Sequence, residues 1–277
     1  MRMSDHARQS SGWQLEQSAP QAYEEYLVPP MFAPWADRLL ETGKVQEGDR
    51  VLDVACGTGI VARHAVSRVR ERGSVVGVDI NAEMLAVAEE TAAGLQPPVE
   101  WRQGDATNLP FADETFDVVC CQQAIQFFDN PVTAIREIRR VLVPGGRVAV
   151  SVWRPIAYQP VYVAFADALE DRISDEAGAM MRSPFPAWDR ETLRTFVRDA
   201  GFEDASVTIE IGTIRYPSVE EFVRREAASS PFAAQITAVD RDVQEELVRA
   251  VAQACRGYVD DAGLISPMES HVVAADR

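Results

Sequence analysis

The sequence predicts an α/β fold in which a mostly parallel sheet carries helices on both faces. Three observations predict it. Between about residues 50 and 153, short apolar runs alternate with helix-length stretches, the pattern of strand–helix–strand units. The apolar runs are short and nearly continuous, as strands buried on both faces are. The first of them, Val51-Leu52-Asp53-Val54, runs into the turn Ala55-Cys56-Gly57-Thr58-Gly59 and then a helix. In an open parallel sheet, ligands sit at such strand ends.

The elements follow in order. Residues 1–10 are polar and expected to be loose. Residues 20–42 read as helical through Tyr23, Tyr26, Leu27, Phe32, Trp35, Leu39 and Leu40, with Pro29-Pro30 splitting them into two short helices with a kink. Gly43 and Gly48 punctuate the entry to the core. Strands are expected over 51–54, 74–79, 99–102, 116–121 and 147–153. Between them lie a helix over 60–72 closed by Gly73, and a helix over 82–93 capped by Asn81 with Glu83 in its first turn. A third helix covers 131–142, with Pro131 at its start and the turn Pro144-Gly145-Gly146 after its end.

After Trp153 the alternation is interrupted. Residues 158–181 read as helix, followed by Ser183-Pro184-Phe185-Pro186. An amphipathic helix covers 189–200 and ends at Gly201. Residues 205–216 alternate as a strand, 218–258 read as two or three helices, and 268–274 as a final strand. The expectation is a single domain over 1–277. Its core is approximately 43–154, 188–216 and 263–277, and the helical segments at about 10–42, 155–187 and 217–262 are expected to lie as lids over one end of the sheet.

Composition bounds the function. The 277 residues are 47% hydrophobic and 25% charged, the values of a globular chain able to bury a sizeable core. Lys plus Arg total 27 against 43 for Asp plus Glu, a net charge of −16. That balance argues against nucleic acid and against an anionic membrane surface as partners. Cys56, Cys120, Cys121 and Cys255 form no CxxC pair and no His cluster joins them, so no metal site is expected. Free thiols of this kind suit a reducing, cytoplasmic setting. The start Met1-Arg2-Met3-Ser4-Asp5-His6 is followed by no apolar stretch, so no signal peptide is expected, and no apolar run has the length of a membrane span.

The strand ends carry the chemistry. Gly57 and Gly59 let the backbone turn sharply and approach a ligand, and the helix that follows offers free N–H groups to an anionic group. Asp79 ends the second strand, twenty residues after Gly59, where a carboxylate can accept hydrogen bonds from a ribose diol. Gly104-Asp105-Ala106 follows the third strand, and Cys121-Gln122-Gln123 ends the fourth beside the same cleft.

Taken together, these residues resemble a known family. Val51 to Gly59, Gly77-Val78-Asp79-Ile80, Gly104-Asp105-Ala106, Leu109-Pro110-Phe111, Phe116-Asp117-Val118-Val119 and Arg140-Val141-Leu142-Val143-Pro144-Gly145-Gly146 look like the motif series of class I S-adenosylmethionine-dependent methyltransferases. The similarity is nearest to the group that includes the ubiquinone/menaquinone-biosynthesis enzymes, and is strong over about residues 45–153. The resemblance implies a Rossmann-like, seven-stranded sheet with its last strand antiparallel. It implies S-adenosyl-L-methionine as cofactor, with Asp53, Ala55, Gly57 and Gly59 around the methionine moiety and Asp79 on the ribose. Ile80 and Met84 would lie against the adenine, Asp105 and Ala106 at its edge, and Gln122 at the methionine end.

Two other readings remain open. Gly57-Thr58-Gly59-Ile60-Val61-Ala62 also satisfies a dinucleotide fingerprint, as in an NAD(P)-binding oxidoreductase. Asp53 inside the first strand and Asp105-Ala106 after the third favour the methyltransferase. A non-catalytic homologue that binds the cofactor is the second, against which the lid segments speak. The expected acceptor is a small organic molecule, and a homodimer is compatible with the sequence. No general base is evident: His6 lies in the loose start, and His64 and His271 read as structural. Tyr23, Tyr26, Trp153 and Tyr158 are candidates for an acceptor pocket or for cation–π contact with a sulfonium, Tyr23 first among them.

Overall fold

The computed structural model describes residues 19–229, 235–236 and 239–277. Residues 1–10, His6 among them, and the stretch 10–18 of the first lid segment lie outside the described residues. The described chain opens with α1 (Ala19–Ala22), a π-helical segment (Tyr23–Phe32) and α2 (Ala33–Thr42). The predicted break at Pro29-Pro30 is not there. Proline has no N–H and crowds the carbonyl one turn back, but a wider turn relieves both problems. The N–H of Ala33 donates to the carbonyl of Val28, five residues back, and the helical path continues through both prolines.

The core then alternates as expected: β1 (Arg50–Val54), α3 (Ile60–Val69), β2 (Ser74–Asp79), α4 (Ala82–Thr91), β3 (Val99–Gln103), β4 (Phe116–Gln122), α5 (Pro131–Val141) and β5 (Leu142–Trp153). Asn81 caps α4 by accepting the N–H groups of Glu83 and Met84. One boundary differs. β5 begins at Leu142 rather than Arg147, because Leu142 pairs with Phe116 and the Pro-Gly-Gly turn is absorbed as an irregularity in the register.

Beyond β5 come α6 (Pro160–Arg172), α7 (Asp175–Arg182), α8 (Arg190–Asp199), β6 (Ala205–Tyr216), α9 (Val219–Ala228), α10 (Arg241–Ala254), β7 (Val259–Asp260) and β8 (Gly263–Asp276). The sheet order is β3-β2-β1-β4-β5-β8-β6, with β7 adding a two-residue pairing to β8. β1 to β5 are mutually parallel, and β8 runs antiparallel to both β5 and β6. This is the Rossmann-like sheet with an antiparallel last strand, plus one short extra strand.

β8 starts five residues before the predicted Met268. Pro267 hides that start in the sequence, since proline interrupts a central strand. Here it is tolerated because β8 pairs with β5 only from Ser270 onward, and from Leu264 to Glu269 it lies in a ribbon with β6.

Among the described residues, buried side chains form three clusters. One, with Leu52, Val119, Ile135, Ile138, Val150, Leu193 and Phe202, lies between the sheet and α5 and α8. Another, with Leu39, Leu40, Val51, Val61 and Val118, lies between the opposite face and α2 and α3. The third joins Met31, Trp35, Trp153, Tyr162, Phe165, Phe222, Leu247 and Met268, and is the core of a helical cap. Val207 and Val273 belong to the first cluster, while Ile214, Tyr216 and Leu264 on the same two strands belong to the cap.

Candidate cofactor and acceptor cavity

A cavity of about 670 Å³ opens at the carboxyl ends of the parallel strands, a volume suited to a small-molecule site. Two regions face each other across it. The sheet side supplies Ala55 and Gly57, the stretch from Asp79 to Met84 and the stretch from Gln122 to Ala124. The cap side supplies Tyr23, Leu27, Met31 and Phe32 from the π-helical segment, with Trp153, Tyr162, Met181, Phe185 and Glu226.

The glycine loop turns through left-handed backbone at Ala55 (φ 54°), Gly57 (φ 55°) and Gly59 (φ 83°). Space for a ligand exists at Gly57, where an added Cβ would meet nothing within 4 Å. At Gly59 the reason for glycine is different. A Cβ there would fall 2.3 Å from Cη2 of Trp101, so the loop rests directly on that indole. Ala55 and Gln123 (φ 52°) are non-glycine residues held in the left-handed region, and both line the cavity, where backbone strain commonly collects.

Asp79 organises the mouth. Its Oδ2 accepts the N–H of Gly57 at 2.7 Å and its Oδ1 that of Asn81 at 2.9 Å. Burial pushes its carboxyl above the ordinary range, against the pull of those N–H groups. Ile80 beside it is 67% exposed, the most exposed of the large hydrophobic side chains described. Across the cavity Gln122 donates through Nε2 to the carbonyl of Phe32 at 3.0 Å, while its Oε1 is buried without a partner among the described residues. The π-helical segment docks on α3 through Glu24 and Arg63, paired at 2.7 Å, which sets Tyr23 against the opening.

Of the residues singled out in the sequence, Tyr23, Ala55, Gly57, Asp79, Ile80, Met84 and Gln122 line this cavity. Asp53, Gly59, Asp105 and Ala106 are placed elsewhere. Asp53 is 1% exposed and accepts the N–H of Ala62 at 3.0 Å, pinning the first turn of α3. Its carboxyl is pushed up to about 8, by burial first and by Asp79 as well. Asp105 accepts the N–H of Thr107 within its own turn, and Ala106 packs into the sheet core. Trp153 lines the cavity, whereas Tyr26 lies beneath Arg224 and Tyr158 beneath Arg154. His64 pairs with Asp37 on the outer surface of α3, and His271 is buried in β8.

The sequence reading did not single out Glu226. It is 3% exposed, on α9. Its Oε1 accepts the hydroxyls of Tyr162 at 2.7 Å and Tyr216 at 3.0 Å. Burial pushes its carboxyl up to about 7, against those two hydrogen bonds. A signal was present. Val219, Phe222, Val223, Glu226 and Ala227 form one helical stripe, and an acid on an otherwise apolar stripe is rarely buried without a purpose.

The comparisons with known proteins agree with this geometry. A methyltransferase-domain family model matches residues 52–150. The ubiquinone/menaquinone biosynthesis C-methyltransferase UbiE of Cronobacter sakazakii is 31% identical over 185 residues, 62% of this chain and 73% of that one. A 2-phytyl-1,4-naphthoquinone methyltransferase of Synechocystis is 39% identical over 118 residues, 42% of this chain and 50% of its own. Among solved structures, an S-adenosylmethionine-dependent methyltransferase from Aquifex aeolicus shares the fold at a TM-score of 0.50 and 20% identity, covering 72% of this chain and 91% of that one.

The chain belongs to the class I S-adenosylmethionine-dependent methyltransferases, in the small-molecule group that resembles the ubiquinone/menaquinone-biosynthesis enzymes. It is an enzyme that uses S-adenosylmethionine to methylate a small organic molecule. The oxidoreductase reading finds no support in these relatives. Among the described residues, no helix is long and apolar enough to cross a membrane.

Proposed function

We propose that S-adenosylmethionine lies along the sheet side of the cavity and that the methyl acceptor fills the cap side. The observation that carries this is the convergence on one cavity of Gly57, Asp79 and the unpartnered Oε1 of Gln122. The residues fit the cofactor. Asp79 suits the ribose diol, and Ile80 and Met84 offer apolar surface to the adenine. Ala55, Gly57 and Gln122 suit the methionine end. Asp53 and Gly59 serve by shaping the loop, one on Ala62 and the other on Trp101. Asp105 and Ala106 are kept as adenine-edge contacts on the family resemblance alone.

Bound S-adenosylmethionine supplies an activated methyl group on a sulfonium. What the chain contributes is alignment. The Glu24–Arg63 pair holds the π-helical segment over the loop, and Phe32 and Trp153, with ring centroids 6.3 Å apart, wall the cap side. Tyr23 keeps its proton, since burial and the charges of Glu24, Asp79 and Asp53 all raise its hydroxyl pKa. It therefore serves as a donor and an aromatic face rather than as a base.

In this reading residues 1–277 form one domain, and the helical segments 10–42, 155–187 and 217–262 are its lids, parts of the first and third lying outside the described residues. The acceptor is a small aromatic or quinone-like molecule, as the names of the relatives suggest. Nucleic acid and membranes are not partners, in keeping with the charge of −16, and a homodimer remains compatible. The buried free thiols favour the cytoplasm. Calorimetric titration tests the cofactor assignment. S-adenosylhomocysteine is expected to bind one-to-one and NAD⁺ not at all, and the reverse result would refute it.

A further inference from the structure

The cap end of the cavity is walled by Met31, Trp153, Met181 and Phe185, with Glu226 and Tyr162 as its polar groups. Glu226 joins three elements by hydrogen bonds, since Tyr162 stands on α6 and Tyr216 on β6. Both hydroxyls converge on Oε1, whereas Oε2 has no hydrogen-bond partner among the described residues and is not one of their fully buried unpartnered atoms, on a residue that lines the cavity. The neighbouring Arg225 does not supply one. Its guanidinium is engaged by Glu221, at 2.9 Å.

We propose that Glu226 anchors the methyl acceptor, its Oε2 receiving a hydrogen bond from a hydroxyl or amine carried on a flat, apolar molecule. The proposal rests on the methyltransferase reading of the cavity and names the acceptor class within it. The apolar walls select an aromatic body and the carboxylate selects a donor. Asp79 and Glu226 on one cavity disfavour an anionic acceptor by like-charge repulsion. Tyr162 and Tyr216 position the anchor. Each spends its proton on Oε1, which directs the other oxygen's lone pairs to the ligand.

Three probes test this by calorimetry on the intact protein at pH 8, where Glu226 is ionised, with and without saturating S-adenosylhomocysteine: 2-naphthol, 2-methoxynaphthalene and 2-naphthoate. The wild type is expected to bind 2-naphthol about tenfold more tightly than its methyl ether, the scale of one hydrogen bond to a charged group, and to bind 2-naphthoate weakest. In Glu226→Leu the naphthol should fall to the affinity of the ether while S-adenosylhomocysteine binds as before. Should that variant fail to fold, Glu226→Gln preserves the shape and should still lose several-fold of the preference. Tyr162→Phe, which keeps the carboxylate, should retain most of it. Equal affinity for naphthol and ether in the wild type, or an undiminished preference in Glu226→Leu or Glu226→Gln, would overturn the anchor. A wild type that prefers naphthol yet ignores S-adenosylhomocysteine would instead overturn the cofactor reading.

Discussion

The two sides of the cavity are built on opposite plans. The sheet side is built on a backbone turn and strand ends: a left-handed loop whose N–H groups Asp79 collects, and Gln122 at the end of β4. The cap side is made of side chains drawn from segments far apart in the chain, from Met31 to Glu226. A backbone site constrains residue type, because only certain residues accept left-handed turns and close approach. A side-chain site asks only for apolar volume, which many residues supply, and a single polar group then carries the selectivity. One surface can thus stay fixed on a common cofactor while the other changes its acceptor.

The contrast can be broken, most severely at Gly59. Gly59→Val places a branched side chain at φ 83° and against Trp101. A loss on the order of 3 kcal/mol or more is expected, read as a fall in denaturant midpoint. If stability were unchanged, the loop would not rest on that indole. Next in size is Asp79→Ala. S-adenosylhomocysteine affinity should drop by about 3 kcal/mol, roughly a hundredfold, from the lost charged hydrogen bonds, while 2-naphthol binding to the free protein changes little. Equal loss of both ligands would mean the two sides are not separable.

The smallest effect concerns Glu226 and depends on pH. Its folded value of about 7 stands above the ordinary 4.5, so the folded state holds a proton that the unfolded state releases earlier. Its contribution to stability is therefore full below pH 4.5 and is lost as pH rises through 7. Tyr162 and Tyr216 face it and are themselves held protonated by burial, and Arg225 is engaged with Glu221. Between pH 5 and 8 the wild type should thus lose more thermal stability than Glu226→Gln. Parallel pH profiles of the two would show that Glu226 does not titrate in this range.

Much of the sheet side was legible in the sequence for the reason given above. Asp79, Gly57 and Gln122 stand at the ends of β2, β1 and β4, neighbours in the sheet, and the carboxyl ends of parallel strands share one edge. Asp105 and Ala106 follow the same logic, yet their side chains serve their own turn and the core. The helix through Pro29-Pro30 and the strand through Pro267 were hidden because local rules for proline were overruled by a π-turn and by a ribbon needing partners on one side only. Glu226 was hidden because its meaning lies in Tyr162 and Tyr216, 64 and 10 residues away. The charge of a side chain is visible in a sequence, but its burial against two distant hydroxyls is not.

The ribbon of β6 and β8 has a mechanical consequence. Their near ends are stitched into the sheet core through Val207 and Val273, and their far ends into the cap through Ile214, Tyr216 and Leu264. One unbroken ladder thus crosses from one core to the other. Sheet and cap are tied by continuous backbone pairing, whereas the π-helical segment is held to α3 by a side-chain clasp, Glu24 on Arg63.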